Sequence, residues 1–245
     1  MTVVQPGKPT GKRARIFAIV QARMSSSRLP GKVLKLVCGR PMLSYLLDRL
    51  KQCGELDGVI LATSDQAADD PIADFAEKAG IGCYRGSLED VAGRLVAAAD
   101  MVAAEALVRV SGDSPLLDSA LVDRLVAMFR KKDSVDLVTN VQKRTFPKGQ
   151  SVEVLALESL RRVHRSELSR SEREHVTSHF YRHPDRFRIV NVEHEAPLGS
   201  LQLSIDTASD LDRFEALLGV LGEPVQEHGL GAVVAAALRL EAVRV

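Results

Sequence analysis

Three basic side chains and three successive serines lie just after the first apolar run of the chain. The apolar run is residues 16–20, and residues 21–34 read QARMSSSRLPGKVL. Arg23, Arg28 and Lys32 supply two guanidinium forks and an ammonium, while the small serines let a ligand approach the backbone N–H groups. These are the groups that bind a polyphosphate. The stretch therefore predicts a phosphate-binding loop, and a solvated surface loop is the alternative.

The loop follows neither of the two best-known phosphate-binding patterns. Ser26 occupies the position of the first glycine in the P-loop pattern, and Val33 follows Lys32 where that pattern requires Ser or Thr. The dinucleotide pattern Gly-x-Gly-x-x-Gly does not occur in the sequence. The sequence therefore predicts a polyphosphate loop of another kind.

Two aspartates follow apolar runs further along the chain. Asp113 comes after residues 106–110, and Asp206 comes after residues 201–205 and just before a predicted helix. Carboxylates at the carboxyl ends of neighbouring strands can hold Mg²⁺, which takes one or two protein carboxylates together with phosphates and water. A GDSP turn around Asp113 and simple helix capping by Asp206 are the alternatives. Together with the basic loop, the aspartates predict a metal–polyphosphate site.

Short apolar runs alternate with helical periods, and these elements must position the side chains named above. Strands are predicted at residues 16–20, 59–63, 81–84, 106–110, 136–139, 152–156, 187–192 and 201–205. Helices are predicted at residues 41–51, 70–79, 121–129, 207–221 and 230–241, from a cap at Ser87 to about Ala104, and over about ten residues from Ser171. The alternation predicts an α/β fold with a mostly parallel sheet and helices on both faces. One domain is expected over residues 15–245, after a disordered tail at residues 1–14.

Three of the helices have a predicted capping box, in which Ser or Thr is followed three residues later by an acidic residue. The pairs are Ser87 with Asp90, Ser171 with Glu174, and Thr207 with Asp210. In a capping box each side chain accepts a hydrogen bond from the backbone N–H of the other residue. The pairs therefore predict where these three helices begin.

Composition and charge exclude several classes of function. Aromatic residues make up 4% of the chain and Trp is absent, so stacking surfaces for single-stranded nucleic acid are not expected. The net charge of +1 includes four basic residues among residues 1–15, so the remainder is slightly acidic and disfavours a nucleic-acid partner. No apolar run is long enough to span a bilayer. The three cysteines lack a C-x-x-C spacing, which argues against a zinc site or disulfides and fits a reducing cytoplasm.

Several stretches, taken in order, resemble one known family. They are IVQARMSSSRLPGKVL, GRPMLSYLLDRL, VILATSDQAADDPI, RGSLEDVAGRL, RVSGDSPLLD, SVEVLALESL, SEREHVT and SIDTASDLDRF. They resemble the cytidylyltransferases, a family that includes CMP-Kdo synthetase and acylneuraminate cytidylyltransferase, and most of all the spore coat polysaccharide biosynthesis protein F branch. The resemblance implies a nucleotide-diphospho-sugar transferase fold, which is a Rossmann-like three-layer α/β/α sandwich with a mostly parallel mixed sheet. It also implies Mg²⁺, CTP as donor, an acidic sugar or related acceptor, and a homodimer.

The resemblance further implies roles for individual residues. Those expected to cradle the triphosphate are Ala22, Arg23, Ser25, Arg28 and Lys32. Those expected to line the base and ribose are Thr63, Ser64, Arg85 and Ser87, with Gly112 and Asp113 completing the nucleotide site. Asp113 and Asp206 would hold the metal, and Arg23, Lys32 and Asp113 would act in catalysis. The expected contacts to the acceptor are Arg144, Lys148, Glu153, Arg173 and His175.

The sequence thus predicts a nucleotidyl transfer in which an acceptor oxygen attacks the α-phosphorus of CTP and pyrophosphate leaves. The Kdo enzymes share a Gln-Gly-Asp-Glu-Pro stretch where this chain reads SGDSP, so the acceptor stays open. One alternative is a glycosyltransferase of the same fold, which would release a nucleoside diphosphate. The other is a nucleotide-binding protein without catalytic activity.

Overall fold

A seven-stranded sheet forms the centre of the protein in the computed structural model, which describes residues 13–132, 134–166 and 168–243. Residues 1–12 of the predicted tail lie outside the described residues. Arg13, also within that predicted tail, donates a hydrogen bond to the Glu55 carboxylate at 2.9 Å.

The strands follow the order of the apolar runs in the sequence. They are β1 (Ile16–Gln21), β2 (Leu36–Val37), β3 (Arg40–Pro41), β4 (Gly58–Ser64), β5 (Gly82–Gly86), β6 (Ala106–Ser111), β7 (Leu137–Thr139), β8 (Glu153–Ala156) and β9 (Ile189–Asn191). The large sheet has the order β5-β4-β1-β6-β8-β7-β9, and β2 pairs with β3 in a small separate ribbon. Within the large sheet, only the two pairs made by β8 are antiparallel. The predicted mixed, mostly parallel sheet is confirmed.

Helices cover both faces of the sheet. They are α1 (Met42–Lys51), α2 (Asp70–Lys78), α3 (Val91–Met101), α4 (Ser119–Lys131), α5 (Leu157–His164), α6 (Arg170–Glu174), α7 (Ser178–Arg182), α8 (Ala208–Leu221) and α9 (Leu230–Val243). No helix in the described ranges combines the length and the apolar character needed to cross a membrane.

Two hydrophobic cores separate the three layers. Alternate side chains of a strand point to opposite faces, so Ile16, Ala18 and Val20 enter one core while Phe17 and Ile19 enter the other. The first core packs the sheet against α1, α2, α4, α8 and α9. The second packs it against α3, α5 and α7. The predicted α/β/α sandwich is therefore confirmed.

The capping box predicted at Ser87 is wrong. The side chain of Asp90 itself caps α3 and accepts a hydrogen bond from the Gly93 N–H at 3.0 Å. The Ser87 hydroxyl accepts from the Asp90 N–H at 3.2 Å, one turn before the helix. The helix ends at Met101, earlier than predicted, because the chain adopts a left-handed conformation at Ala103, where φ is 49°.

The capping box predicted at Ser171 is also wrong, because the box lies two residues earlier. Ser169 and Glu172 bond to each other's backbone N–H groups, and α6 is only five residues long. The Thr207 box is confirmed, with Asp210 as its acidic partner at the start of α8.

The strand predicted at residues 201–205 is wrong. This segment makes one isolated bridge between Gln202 and Lys148 rather than joining the sheet. Backbone hydrogen bonds of 2.9 Å from the Lys148 N–H to Leu201 and of 2.8 Å from the Leu203 N–H to Lys148 hold it. The segment thereby carries Asp206 to the edge of the sheet where β6 ends, since the Ile205 N–H donates to the Asp113 carbonyl at 2.9 Å.

Gly149→Ala should destabilise the protein by about 2–4 kcal/mol, measured by urea unfolding. Gly149 has φ of 90°, and a Cβ there would lie 2.6 Å from the Ser204 nitrogen and 2.7 Å from the Leu203 carbonyl carbon. Gly80→Ala is the control, because Gly80 has φ of 66° at the end of α2 but open space around it. Its cost should be about 1 kcal/mol. Equal losses in the two variants would contradict this account of the segment before Asp206.

Candidate active site

A cavity of about 400 Å³ opens at the carboxyl ends of β1 and β6. This edge is where α/β sheets usually bind ligands. Its walls come from the loop after β1, the turn after β6, the start of α3, the end of α6 and the segment before α8. The residues that line it are Gln21, Ala22, Arg23, Ser26, Ser27, Arg28, Lys32, Val33, Val91, Arg94, Arg109, Ser111, Gly112, Asp113, Glu174, His175 and Asp206.

The loop after β1 is held against the end of β4. The Asp69 carboxylate accepts hydrogen bonds from the Met24 N–H at 2.6 Å and from the Ser64 hydroxyl. Asp69 is almost fully buried, so these bonds are shielded from water. The loop is thereby fixed with Arg23 and Arg28 at the cavity.

Lys32 lies at the centre of the charged cluster. Its ammonium is 2.9 Å from Asp113 Oδ2 and 3.1 Å from Asp206 Oδ1, and it donates to the Ile205 carbonyl at 2.6 Å. Its side chain is only 10% exposed, which strengthens these contacts relative to a surface pair. Arg28 also contacts Asp206 Oδ1, at 2.9 Å. The structure thus brings the predicted lysine and the two predicted aspartates together.

The two aspartates fit a bound Mg²⁺. Asp113 and Asp206 both contact one ammonium nitrogen, so their carboxylates face the same small volume. Carboxylate oxygens are the ligands that Mg²⁺ prefers, and one or two of them suffice beside substrate phosphates. The donor set is therefore suited to a hard cation that accompanies a polyphosphate.

Positive charge dominates the cavity. The cationic side chains that line it are Arg23, Arg28, Lys32, Arg94 and Arg109, and the carboxylates are Asp113, Glu174 and Asp206. Arg23 and Glu174 form an ion pair at 3.3 Å between the loop and α6. The excess of cations is suited to a ligand with several negative charges.

The residues expected to line the base and ribose lie at the ends of β4 and β5. Thr63 and Ser64 are fully buried, and Arg85 donates to the Ser64 carbonyl at 3.1 Å. The cavity reaches this region through Arg94, which donates to the Ser87 carbonyl at 2.6 Å. Burial lowers the pKa of the Arg94 guanidinium. None of the four predicted residues lines the cavity, and Ser87 is joined to it through Arg94.

The residues expected to contact the acceptor are separated in space. His175 lines the cavity, whereas Arg144 is exposed and donates to the Ser151 hydroxyl at 3.2 Å. Glu153 is buried behind Arg109 and accepts a hydrogen bond of 2.5 Å from its guanidinium. Sequence reasoning therefore missed Arg109 as the side chain that reaches the cavity from this part of the sheet.

Sequence reasoning also missed Arg94 and Glu174 as lining residues. Arg94 lies on the buried face of the alanine-rich α3, where a charged residue is rarely buried without a role. Arg109 likewise interrupts an apolar strand. For Arg94 and Arg109, the signal in the sequence was a single arginine within an otherwise apolar helix or strand.

A second group of possible metal ligands lies outside the cavity. Glu172, His179 and His183 place ligand atoms within 4.8 Å of one another. Hydrogen bonds from Ser169 and then from His179 lower the pKa of the Glu172 carboxyl to about 2. Arg182 also contacts this carboxylate, at 3.5 Å. Protein donors therefore already compensate the one carboxylate in this group.

Comparison with known proteins identifies the family of this chain. Residues 17–228 match the family model for cytidylyltransferases. An uncharacterized protein of Methanocaldococcus jannaschii is 33% identical over 198 residues, which are 80% of each chain. Spore coat polysaccharide biosynthesis protein SpsF of Bacillus subtilis is 32% identical over 216 residues, which are 85% of this chain and 88% of that protein.

Solved structures share the fold. A cytidylyltransferase from Leptospira borgpetersenii superposes with a TM-score of 0.89 at 26% identity, over 94% of this chain and 96% of that one. A CMP:2-keto-3-deoxy-manno-octonic acid synthetase complexed with CTP gives a TM-score of 0.66 at 18% identity, over 84% of this chain and 99% of that one. The family match over residues 17–228 leads to one conclusion, with which the positively charged cavity is compatible. This chain belongs to the cytidylyltransferase family and is a nucleotidyltransferase.

Proposed function

We propose that the protein joins CMP from CTP to an acidic sugar or a related acceptor, with Mg²⁺, and releases pyrophosphate. The observation that carries the proposal is the cluster of Lys32, Asp113 and Asp206 within a positively charged cavity at the carboxyl ends of β1 and β6. A free triphosphate needs cations around it, because its charge must be neutralised while it is held. The basic side chains of the cavity would supply them, together with a metal ion on the two aspartates.

In the proposed reaction an acceptor oxygen forms a bond to the α-phosphorus of CTP, and the bond from that phosphorus to the bridging oxygen of pyrophosphate breaks. The enzyme's contribution to such transfers is mostly positioning and charge neutralisation. Arg23, Arg28 and Lys32 would hold the triphosphate and stabilise the charge that develops on pyrophosphate, with Ala22 and Ser25 offering backbone and hydroxyl contacts. Ala22, Arg23, Arg28 and Lys32 line the cavity, which supports their assignments, whereas Ser25 does not line it and is assigned on the family resemblance alone.

Asp113 and Asp206 are the residues that would hold Mg²⁺. When bound, the ion would supply further neutralisation of the phosphate oxygens. Gly112 lines the cavity, and its lack of a side chain lets the turn after β6 pack closely against β1, since a Cβ there would lie 2.9 Å from the Gln21 carbonyl oxygen. Asp113, the next residue, would both act in catalysis and bind the nucleotide.

The base and ribose would lie towards β4 and β5. Thr63, Ser64, Arg85 and Ser87 belong to this side of the sheet, and Asp69 links it to the loop after β1. The acceptor would lie towards β6 and β8, where His175 lines the cavity.

Two named relatives support a sugar acceptor. One is the spore coat polysaccharide biosynthesis protein of Bacillus subtilis. The other is a 3-deoxy-manno-octulosonate cytidylyltransferase of Nitratidesulfovibrio vulgaris, 38% identical over 122 residues, which are 46% of this chain and 45% of that protein. A homodimer, implied by the family resemblance, and a cytoplasmic location, which fits the scattered free cysteines, complete the proposal.

Pyrophosphate release tests the proposed reaction. Each of the four nucleoside triphosphates is incubated with Mg²⁺ and a panel of acidic sugars and sugar phosphates, and phosphate is measured after added pyrophosphatase. We expect release with CTP only when one acceptor is present, because in the proposed reaction an acceptor oxygen must displace pyrophosphate from CTP. Release of a nucleoside diphosphate from a nucleotide-sugar would instead support the glycosyltransferase alternative, and CTP binding without release from any pair would support the non-catalytic one.

A further inference from the structure

One arginine enters the cavity from an otherwise apolar strand. Arg109 lies on β6, with Leu107 and Val110 fully buried nearby. Its side chain is 24% exposed and lines the cavity. A charged group in the central strand of a sheet is costly unless it is paired, so its presence needs a reason. The position points to recognition of a ligand rather than to packing.

The guanidinium of Arg109 is held in place from behind. It lies opposite Glu153 in the pairing of β6 with β8 and donates to Glu153 Oε2 at 2.5 Å. The Glu153 side chain is only 3% exposed. Its other oxygen accepts a hydrogen bond from the Tyr181 hydroxyl at 2.5 Å, and Thr139 lies 2.9 Å from the same hydroxyl. Two strands and α7 therefore fix the orientation of one guanidinium.

The Tyr181 phenol remains a donor across the range in which enzymes work. Burial, and then the charge of Glu153, raises the pKa of Tyr181 well above its usual range. The phenol therefore keeps its proton and continues to bind Glu153. The contact with Glu153 uses Arg109 Nη1, and the side chain is 24% exposed, so the guanidinium keeps N–H groups that can donate towards the cavity.

Arg109 lies on the side of β1 away from the proposed base and ribose residues. The sheet order places β4 and β5 on one side of β1, and β6 and β8 on the other. The triphosphate loop follows β1 and supplies its own three cations. Glu174 and His175, at the end of α6, line the cavity together with Arg109. In the proposed arrangement the base and ribose lie on the β4 and β5 side of the triphosphate. The acceptor would therefore bind on the β6 side, where Arg109 lines the cavity.

We infer that Arg109 is a specificity-determining residue that binds an anionic group of the acceptor, a carboxylate or a phosphate, and that Glu153 and Tyr181 are its positioning residues. The inference rests on the proposed function. A planar guanidinium binds either oxyanion through parallel hydrogen bonds, which an ammonium cannot do. Glu153 compensates the guanidinium charge only from the buried side, so an anion of the acceptor can complete its hydrogen bonds from the cavity.

The variants are chosen to avoid an unpaired buried charge. Arg109→Gln alone would leave the Glu153 carboxylate buried without its partner, which is strongly destabilising. The double variant Arg109→Gln with Glu153→Gln removes both charges and keeps side chains of hydrogen-bonding type. Tyr181→Phe keeps Arg109 and loosens only its support. Arg124→Gln, at an exposed position on α4, removes one positive charge elsewhere and is the control.

Thermal melting measures acceptor binding without turnover. The protein is saturated with Mg²⁺ and α,β-methylene CTP, and 3-deoxy-manno-octulosonate, N-acetylneuraminate or glucose 1-phosphate is then added. We expect at least one of these anions to raise the Tm of the wild type and of Arg124→Gln. The same anion should not change the Tm of the double variant. The Tm increase caused by the nucleotide analogue itself should be the same in all of them.

Steady-state kinetics with the acceptor that supports pyrophosphate release gives the second readout. The double variant should raise the KM for the acceptor by roughly 10- to 100-fold and leave the KM for CTP within about twofold, because a charge-assisted hydrogen bond to the acceptor is lost. Tyr181→Phe should raise the acceptor KM by about threefold to tenfold, and kcat should change less.

Several results would overturn the inference. A weaker interaction with CTP in the double variant, with the acceptor KM unchanged, would assign Arg109 to the triphosphate. Equal stabilisation of wild type and double variant by the sugar anions would show that Arg109 does not bind them. A wild type stabilised by the nucleotide analogue but by none of the anions would reject an anionic acceptor and leave nucleotide binding intact. A wild type that does not respond to the nucleotide analogue would contradict the proposed function itself.

Discussion

Lys32→Met will lower kcat/KM for CTP by roughly 10³-fold, because it removes the one ammonium that the fold holds at the centre of the charged cluster. In the wild type this ammonium contacts both Asp113 and Asp206 and is largely shielded from water. Methionine has a similar length but no charge. The Asp113 and Asp206 side chains are 23% and 25% exposed, so water can solvate their carboxylates and the fold of the loop should be kept. Pyrophosphate release at subsaturating CTP measures the loss.

The same variant should respond more strongly to Mg²⁺ than the wild type. Without Lys32, the carboxylates of Asp113 and Asp206 face each other with no shared cation, so Mg²⁺ alone should raise the Tm of Lys32→Met more than that of the wild type. Lys35→Met is the matched control, since Lys35 is exposed in the same loop region. Turnover near the wild-type value in Lys32→Met, or an unchanged response to Mg²⁺, would contradict the role assigned to the ammonium.

The location of this cluster could be predicted from the sequence because parallel strands share one edge. Lys32 is 81 positions from Asp113 and 174 from Asp206 in the sequence. All three residues nevertheless come after the carboxyl end of a predicted strand. Asp206 reaches that edge by a different route from the predicted one. Its segment bridges to Lys148 outside the sheet, and one backbone hydrogen bond from Ile205 to Asp113 joins it to the end of β6.

The start of α6 shows why local patterns alone could not decide a helix boundary. Ser169 and Ser171 are each followed three residues later by glutamate, so the same capping pattern occurs twice, two residues apart. Only the first forms the box, and its Glu172 also contacts His179 from α7 at 3.1 Å. The pattern that forms the box is thus the one whose glutamate also makes a tertiary contact. A four-residue sequence pattern does not report such contacts.

The pairing behind Arg109 could not be predicted for a related reason. Glu153 faces Arg109 only because β8 inserts between β6 and β7 and runs antiparallel to both. Strand order depends on contacts between distant parts of the chain, whereas apolar periodicity reports only local burial. The family resemblance suggested Glu153 as a direct contact to the acceptor, and the structure places it one residue behind the cavity surface.

Asp206→Asn will lower kcat by roughly 10²- to 10³-fold and will raise the Mg²⁺ concentration needed for half-maximal rate by at least about tenfold. The amide keeps one oxygen that can accept from Arg28 and Lys32, which lie 2.9 and 3.1 Å away, so the cluster should keep its arrangement. What is lost is a negative charge that a divalent cation requires. Pyrophosphate release over a Mg²⁺ titration measures both effects.

CTP affinity measured without Mg²⁺ distinguishes the loss of the Asp206 charge from misfolding of the site, because the two causes change that affinity in opposite directions. Because the triphosphate and Asp206 are both negative, removing the carboxylate should leave CTP affinity in EDTA equal to or greater than that of the wild type. A misfolded site would bind CTP more weakly under both conditions. Asp212→Asn, at an exposed position on α8, should change neither Mg²⁺ dependence nor affinity. If Asp206→Asn kept the wild-type Mg²⁺ dependence, Asp206 would not be a metal ligand, and its contacts with Lys32 and Arg28 would be its whole role.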